Sequence, residues 1–197
     1  MKVYHSALKS DLSLNKEMDF FKSSDGSVVF KHDILDGYHR LFDGADVIYS
    51  EPAWRHGFEK FMQRAGAKGD FNTYLAAIQG TITELGLPAY VVMGIQMKHR
   101  LAPDYSVPIK LHGYKCLLGV WNEPITKTIM ADVITNYDAI DRIVKKHETV
   151  LDFCCGYGNT ALAAKTHNKK SICSDVNGKC IYYVATEVMG HGTDHLF

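Results

Sequence analysis

The chain has 197 residues, 46% of them apolar and 22% charged, with 22 basic and 22 acidic side chains in balance. That length and composition suit one soluble globular domain with a sizeable core. They exclude a membrane-spanning or low-complexity chain, and zero net charge removes any global pull toward nucleic acid or anionic membrane. Residues 1–27 are polar and irregular, end in the turn Ser23-Ser24-Asp25-Gly26 and read as an appendage without an apolar signal core. Runs rich in Val, Ile and Tyr at 28–32, 46–50, 89–94, 107–112, 114–121, 149–153 and 170–174 each predict a buried strand. Between them, helix-length segments lie at 35–42, 71–85, 125–146, 159–167 and 179–189. The clearest is 71–85, where Phe71, Leu75, Ile78, Ile82 and Leu85 recur at three- and four-residue spacing. Gly113 joins 107–112 to 114–121 as an antiparallel hairpin. Alternating strands and helices with one hairpin predict an α/β fold, a mostly parallel sheet covered on both faces, in one domain over 28–197. The five cysteines include the adjacent pair Cys154-Cys155 but no disulfide framework or metal-binding pair, which suits reduced cytoplasmic thiols.

In such sheets ligands collect at the carboxyl ends of strands. Three strand ends carry unusual chemistry. The run 46–50 stops in Glu51-Pro52-Ala53-Trp54, an acid, a rigid turn and a flat aromatic. The run 149–153 enters Gly156-Tyr157-Gly158 and then a helix, where glycines admit close backbone approach and the helix start offers free N–H groups. The run 170–174 ends at Asp175, about twenty residues after the glycine loop, the spacing of an acid that binds ribose hydroxyls.

These motifs together resemble the S-adenosylmethionine-dependent amino-methyltransferases of the N6-adenine and N4-cytosine DNA class, in their permuted β-type motif order. The stretch ADVIYSEPAW is similar to the family's strand ending in Asp/Asn/Ser-Pro-Pro-aromatic, VLDFCCGYGNTALAA to its cofactor loop, and SDVNGKCIYYVA to the segment that follows. The similarity covers roughly residues 28–54 and 143–188. It implies a seven-stranded Rossmann-like methyltransferase sheet with one antiparallel hairpin in circularly permuted order, with a catalytic half at 28–122 and a cofactor half at 123–190. It implies S-adenosylmethionine as cofactor, held by Asp33, Asp152, Phe153, Cys154, Gly156, Gly158, Asn159, Asp175 and Asn177, and no metal. It implies that Glu51 accepts the N–H hydrogens of an exocyclic amine, Pro52 fixes the neighbouring carbonyl and Trp54 stacks on a flipped or single-stranded base. The reaction would be methyl transfer to a nucleobase amine, adenine N6 in DNA first.

The chain departs from that pattern. Glu51 stands for Asp, Asn or Ser, Ala53 for the second proline and Cys154 for a phenylalanine, with Phe153 adjacent. About seventy residues separate Trp54 from position 125, and strands, helix and hairpin consume them, leaving no target-recognition domain. Weak nucleic-acid binding is therefore expected, with specificity from short loops such as 98–104 or from a protein partner or second copy. Two other readings stay open: a catalytically degenerate binding subunit, and an enzyme using the same cofactor on a small molecule. Bland roles stand beside each residue: Trp54 as a core aromatic, Glu51 as a solvated charge, Asp175 as a helix cap, and Lys98-His99-Arg100 as plain surface. His191, Asp194 and His195, though spaced like metal ligands, read as a frayed tail.

Overall fold

A computed structural model of the protein describes residues 16–111, 113–123 and 135–190. Its strands are β1 (Phe20–Lys22), β2 (Val28–Lys31), β3 (Val47–Ser50), β4 (Ala89–Met93), β5 (Tyr105–Leu111), β6 (Tyr114–Trp121), β7 (Thr149–Asp152) and β8 (Lys170–Asp175). They form one sheet in the order β1-β2-β8-β7-β3-β4-β6-β5. The neighbours from β2 through β4 run parallel, while β1 on one edge and β6 and β5 on the other are antiparallel.

Both faces are buried, as the uninterrupted apolar runs require. Side chains alternate between two cores. Ile48, Ala89, Val91 and Met93 face one core; Val47, Tyr49, Tyr90 and Val92 face the other. Helices α1 (Arg55–Ala65) and α2 (Phe71–Leu85), with the short turn α3 (Lys98–Leu101), cover the first. The second lies under α4 (Asn136–Lys146) and α5 (Asn159–Thr166). A third cluster packs α6 (Gly178–Tyr183) and the π-helical turn Val184–Val188 against Val29 and Cys173. The β3-to-β4 crossover thus lies on one face and the β7-to-β8 crossover on the other. Their divergence makes the β3/β7 boundary the switch point of the sheet.

The sheet has eight strands where seven were expected. Residues 20–22, within the stretch read as irregular, add β1 at the edge, joined to β2 by a tight turn in which Asp25 accepts the Ser27 N–H at 2.8 Å. The helix expected at 35–42 is instead two 3-10 turns, Ile34–Asp36 and Arg40–Gly44. Gly37 separates them at φ 77°, a left-handed conformation no α-helix passes through. Helix α1 was not expected, because only Phe58 and Met62 of its residues are buried. Helix α4 begins at Asn136 behind a Thr135–Asp138 capping box. Positions 125–134 of the expected helix lie outside the described residues, as do His191, Asp194 and His195. Among the described residues no helix is long and apolar enough to cross a membrane.

Candidate functional site

At the end of β3, Ser50, Glu51, Ala53 and Trp54 each have a defined hydrogen-bond partner. Ser50 donates its hydroxyl to Asp152 Oδ1 at 2.8 Å. Glu51 Oε1 accepts from the Tyr49 hydroxyl at 2.7 Å and from Asn136 Nδ2 at 2.6 Å. Tyr49 is fully buried, and burial, with the Glu51 carboxylate beside it, holds its phenol well above the usual range, so it remains a donor. Pro52 is buried. The Ala53 N–H, which a proline would lack, donates to the buried Tyr74 hydroxyl at 3.0 Å. Trp54 caps α1 through its carbonyl, which accepts from Gly57 and Phe58 at 2.8 and 2.9 Å. Its ring lies against Gly94, where a Cβ would sit 3.7 Å away, and against both cores.

The β7 end is built around Asp152, 3% exposed. Its carboxylate accepts from Ser50, from the Cys154 N–H at 3.1 Å and from the Thr160 hydroxyl. Burial still pushes this carboxyl up to about 7, with the Glu51 charge adding to the push against those three hydrogen bonds. Phe153 is buried in the first core. Cys154 Sγ meets the Tyr74 hydroxyl at 3.3 Å, and burial raises its thiol, keeping it neutral. Gly156 has φ 49° and open space where a side chain would stand. Gly158 has φ 77°, and a Cβ there would come within 2.8 Å of Val184 Cγ2, so only glycine lets α5 start this close to the Val184 turn. Asn159 Oδ1 is buried with no hydrogen-bond partner.

At the end of β8, Asp175 Oδ2 accepts the Gly156 N–H and Oδ1 the Asn177 N–H, each at 2.9 Å. Burial raises this carboxyl, the two N–H groups oppose the shift, and the Asp33 charge adds to it. The cap of α6 is Asn177, whose side chain accepts from Lys179 N–H at 3.1 Å; Asp175 is not the cap. Asp33 caps the turn after β2, accepting from Leu35 N–H at 3.0 Å.

These three strand ends and the turn after β2 open on one cavity of about 450 Å³ at the switch point. Glu51, Pro52, Trp54, Asp33, Asp152, Phe153, Cys154, Gly156, Asn159, Asp175 and Asn177 all line it; Gly158 sits behind, under Val184. That volume lies within the 300–1,000 Å³ usual for small-molecule sites. The cavity also takes in residues that motif reasoning missed. Tyr74 reaches it from the buried stripe of α2, with no local signal that its hydroxyl would join two loops. His56, Phe61 and Arg64 come from the unforeseen α1, and Leu111 and Tyr114 from the hairpin. The 98–104 segment, expected to carry specificity, does not line it: 98–101 is the turn α3, anchored by buried Leu101. No cluster of three metal-ligating side chains occurs among the described residues.

No protein-family model matches the chain, and no curated protein matches it either. Solved structures do. M1.HpyAVI in complex with SAM is 12% identical, superposes with a TM-score of 0.51, and the match covers 82% of this chain and 98% of that one. TTHA0409 from Thermus thermophilus, assigned as a DNA modification methylase and complexed with S-adenosyl-L-methionine, is 12% identical with a TM-score of 0.50, over 82% and 94% of the two chains. Its selenomethionine derivative is 13% identical at 0.50, over 79% and 91%. The chain has the methyltransferase fold. Identities this low establish the fold and leave the chemistry to be argued from the cavity itself. Within a methyltransferase fold the cavity occupies the switch point of the sheet, where the glycine loop after β7 faces the acidic loop after β3.

Proposed function

We propose that the protein transfers a methyl group from S-adenosylmethionine to an exocyclic amine of a nucleobase, with adenine N6 in DNA as the preferred acceptor. One observation carries this reading: the acceptor-bearing Glu51 loop and the glycine loop with its following acid open on the same cavity. The cavity suits the cofactor. Gly156 leaves open space for a close ligand, Asn159 Oδ1 is an orphaned acceptor, and Asp175 retains lone pairs beyond its two backbone bonds. Asp175 and Asn177 would hold the ribose, Asp33 would face the adenine, and the 152–158 loop would hold the methionine part. Bound there, the cofactor supplies an electrophilic sulfonium methyl. In the resembled family's numbering β2 to β8 correspond in chain order to strands three, four, five, six, seven, one and two, so the sheet inside β1 reads three, two, one, four, five, seven, six, which supports a circular permutation of the chain.

An exocyclic amine is a poor nucleophile because its lone pair is delocalised into the ring. Glu51 would accept one N–H hydrogen and the carbonyl beside Pro52 the other, which draws the lone pair out of conjugation; the methyl transfer would leave S-adenosylhomocysteine, and the displaced amine proton would pass to the Glu51 carboxylate and on to solvent. Pro52 fixes the loop so that these acceptors converge, a positional and electrostatic contribution. Trp54 stacks on the base while its other face rests on the cores.

A second reading has an observation of its own. Glu51 Oε1 already accepts two hydrogen bonds, as it would in a methyltransferase-fold binding subunit that no longer reacts. Labelled S-adenosylmethionine, incubated with single- and double-stranded DNA and RNA, separates the two readings by mass analysis of the digested nucleosides. We expect N6-methyladenine from the wild type, none from Glu51→Ala, and cofactor binding by both. A wild type that binds cofactor but methylates no nucleic acid leaves the second reading.

A further inference from the structure

The neutral total charge hides a local excess at the rim of the cavity. Helix α1 carries Arg55, His56, Lys60 and Arg64, all exposed, against the single acid Glu59. Among the described residues none of these makes an ion pair, whereas Lys31, Lys145, Lys146 and Lys169 each have a carboxylate partner. On the hairpin, Lys110 and Lys115 stand directly opposite each other in the β5–β6 ladder, both exposed, on the sheet face opposite to that of the neighbouring pair Leu111 and Tyr114, which lines the cavity. Like charges in such a pair destabilise a hairpin, and no acid among the described residues neutralises this one. Each rim also exposes an aromatic: Phe61 at 49% and Tyr114 at 67%, both lining the cavity. The Phe61 ring lies over its own helix at Gly57, where a Cβ would meet it at 3.0 Å.

We propose that the cavity mouth between α1 and the hairpin is a docking lane for single-stranded nucleic acid, with Arg64 on a phosphate and Phe61 and Tyr114 under the bases that flank the target. This rests on the methyl-transfer reading above and specifies its substrate form. Cations that have no acids of their own fit a polyanion. Exposed aromatic faces fit bases whose own faces are free, and in a duplex those faces are covered by stacking. The single strand therefore satisfies both features of the rim, and a duplex only one.

The test is fluorescence anisotropy with a labelled adenine-containing oligonucleotide, alone and annealed to its complement, across a salt series. Single strand should bind more tightly than duplex. Phe61→Ala and Tyr114→Ala should each weaken single-strand binding by roughly fivefold to a hundredfold, the worth of one stacked base. Arg64→Ala should reduce the salt slope by about 0.7, the worth of one phosphate contact. Lys98→Ala with Arg100→Ala, cations on α3 away from the cavity, should change neither value. Cofactor affinity by calorimetry, unchanged in the rim variants, shows that they are folded. Equal affinity for duplex, tighter capture of anionic vesicles or an acidic peptide, or rim variants that bind like wild type would each overturn the lane. If the wild type still methylates DNA in that case, the methyl-transfer reading stands without it; if it binds and methylates no nucleic acid, both fall.

Discussion

Tyr74→Phe isolates one hydroxyl that the structure places between the two loops. The ring stays packed, 4.9 Å from Phe58 and 6.3 Å from Phe71 between centroids, so the change removes no apolar volume. It leaves the Ala53 N–H without its 3.0 Å acceptor and Cys154 Sγ without its 3.3 Å contact. An unsatisfied buried donor costs about 1–3 kcal/mol, and the sulfur contact adds little. A loss of about 2 kcal/mol lowers Tm by roughly 4–8 °C in a domain of this size. Burial holds the phenol well above its usual range, so the bond persists and the loss should not vary between pH 5 and 9. Differential scanning calorimetry reads the first effect. The second is positional: a loop displaced by about 1 Å costs on the order of a hundredfold in rate, so methyl transfer should fall in kcat while cofactor affinity holds. A variant that melts with wild type at every pH would show that water replaces the hydroxyl and that Tyr74 pins nothing.

Asp152 gives the fold a pH dependence of opposite sign to that of a salt-bridged acid. Its carboxyl is raised to about 7, above the unfolded value, so its stabilising contribution is complete below about pH 4 and lost as pH rises through 7. Urea denaturation should show stability falling by up to about 4 kcal/mol over that window, at 1.36 kcal/mol per unit, and Asp152→Asn should flatten the curve; a wild type equally stable at pH 5 and 8 contradicts this. Asp175→Ala should weaken S-adenosylmethionine binding more than tenfold by calorimetry, and unchanged affinity would take Asp175 out of the site. Glu51→Asp restores the resembled family's acid, yet shortening the side chain by about 1.5 Å withdraws Oε1 from Tyr49 and Asn136, so methyl transfer should fall; activity at or above wild type would show that those two bonds do not position the carboxylate.

Where local and tertiary preferences agree, the sequence was enough. Helix α2 runs from Phe71 to Leu85 as its spacing predicts, because Asp70 caps it and Gly86, at φ 62°, ends it. Strand β6 matches its predicted bounds for the same reason, with an apolar run closed by Gly113. Helix α1 was hidden because two buried residues make no stripe, and β1 because three residues paired at an edge need no apolar pattern. The lining of the candidate cavity was legible in its acids and glycines, which stand at the strand ends. Its cross-links were not. Nothing in the sequence says that Tyr74 would meet Ala53 across 21 positions or that Asn136 would meet Glu51 across 85. Trp54 shows why alternative roles had to stay open, since its ring both packs on Gly94 and lines the cavity.

Those cross-links account for the departures from the family pattern better than decay does. A loop drifting free of function would leave the new Ala53 N–H to solvent and the longer Glu51 side chain unpaired. Here the extra donor has an acceptor of its own in Tyr74. The extra reach of Glu51 is taken up by Tyr49 on the same strand and Asn136 at the start of α4. Ser50 and Asp152 add a buried hydrogen bond between β3 and β7, so the acidic loop and the glycine loop are held in register at the switch point. Agreement of strand, cap and side-chain partner at one place is what a sequence specifying a defined loop geometry requires. The geometry it specifies keeps the Glu51 carboxylate at the cavity wall, with Oε1 anchored and Oε2 free of hydrogen-bond partners among the described residues. On the proposed methyl-transfer reading, an acceptor held this way would need no reorganisation when an amine arrives, which is the condition for electrostatic catalysis.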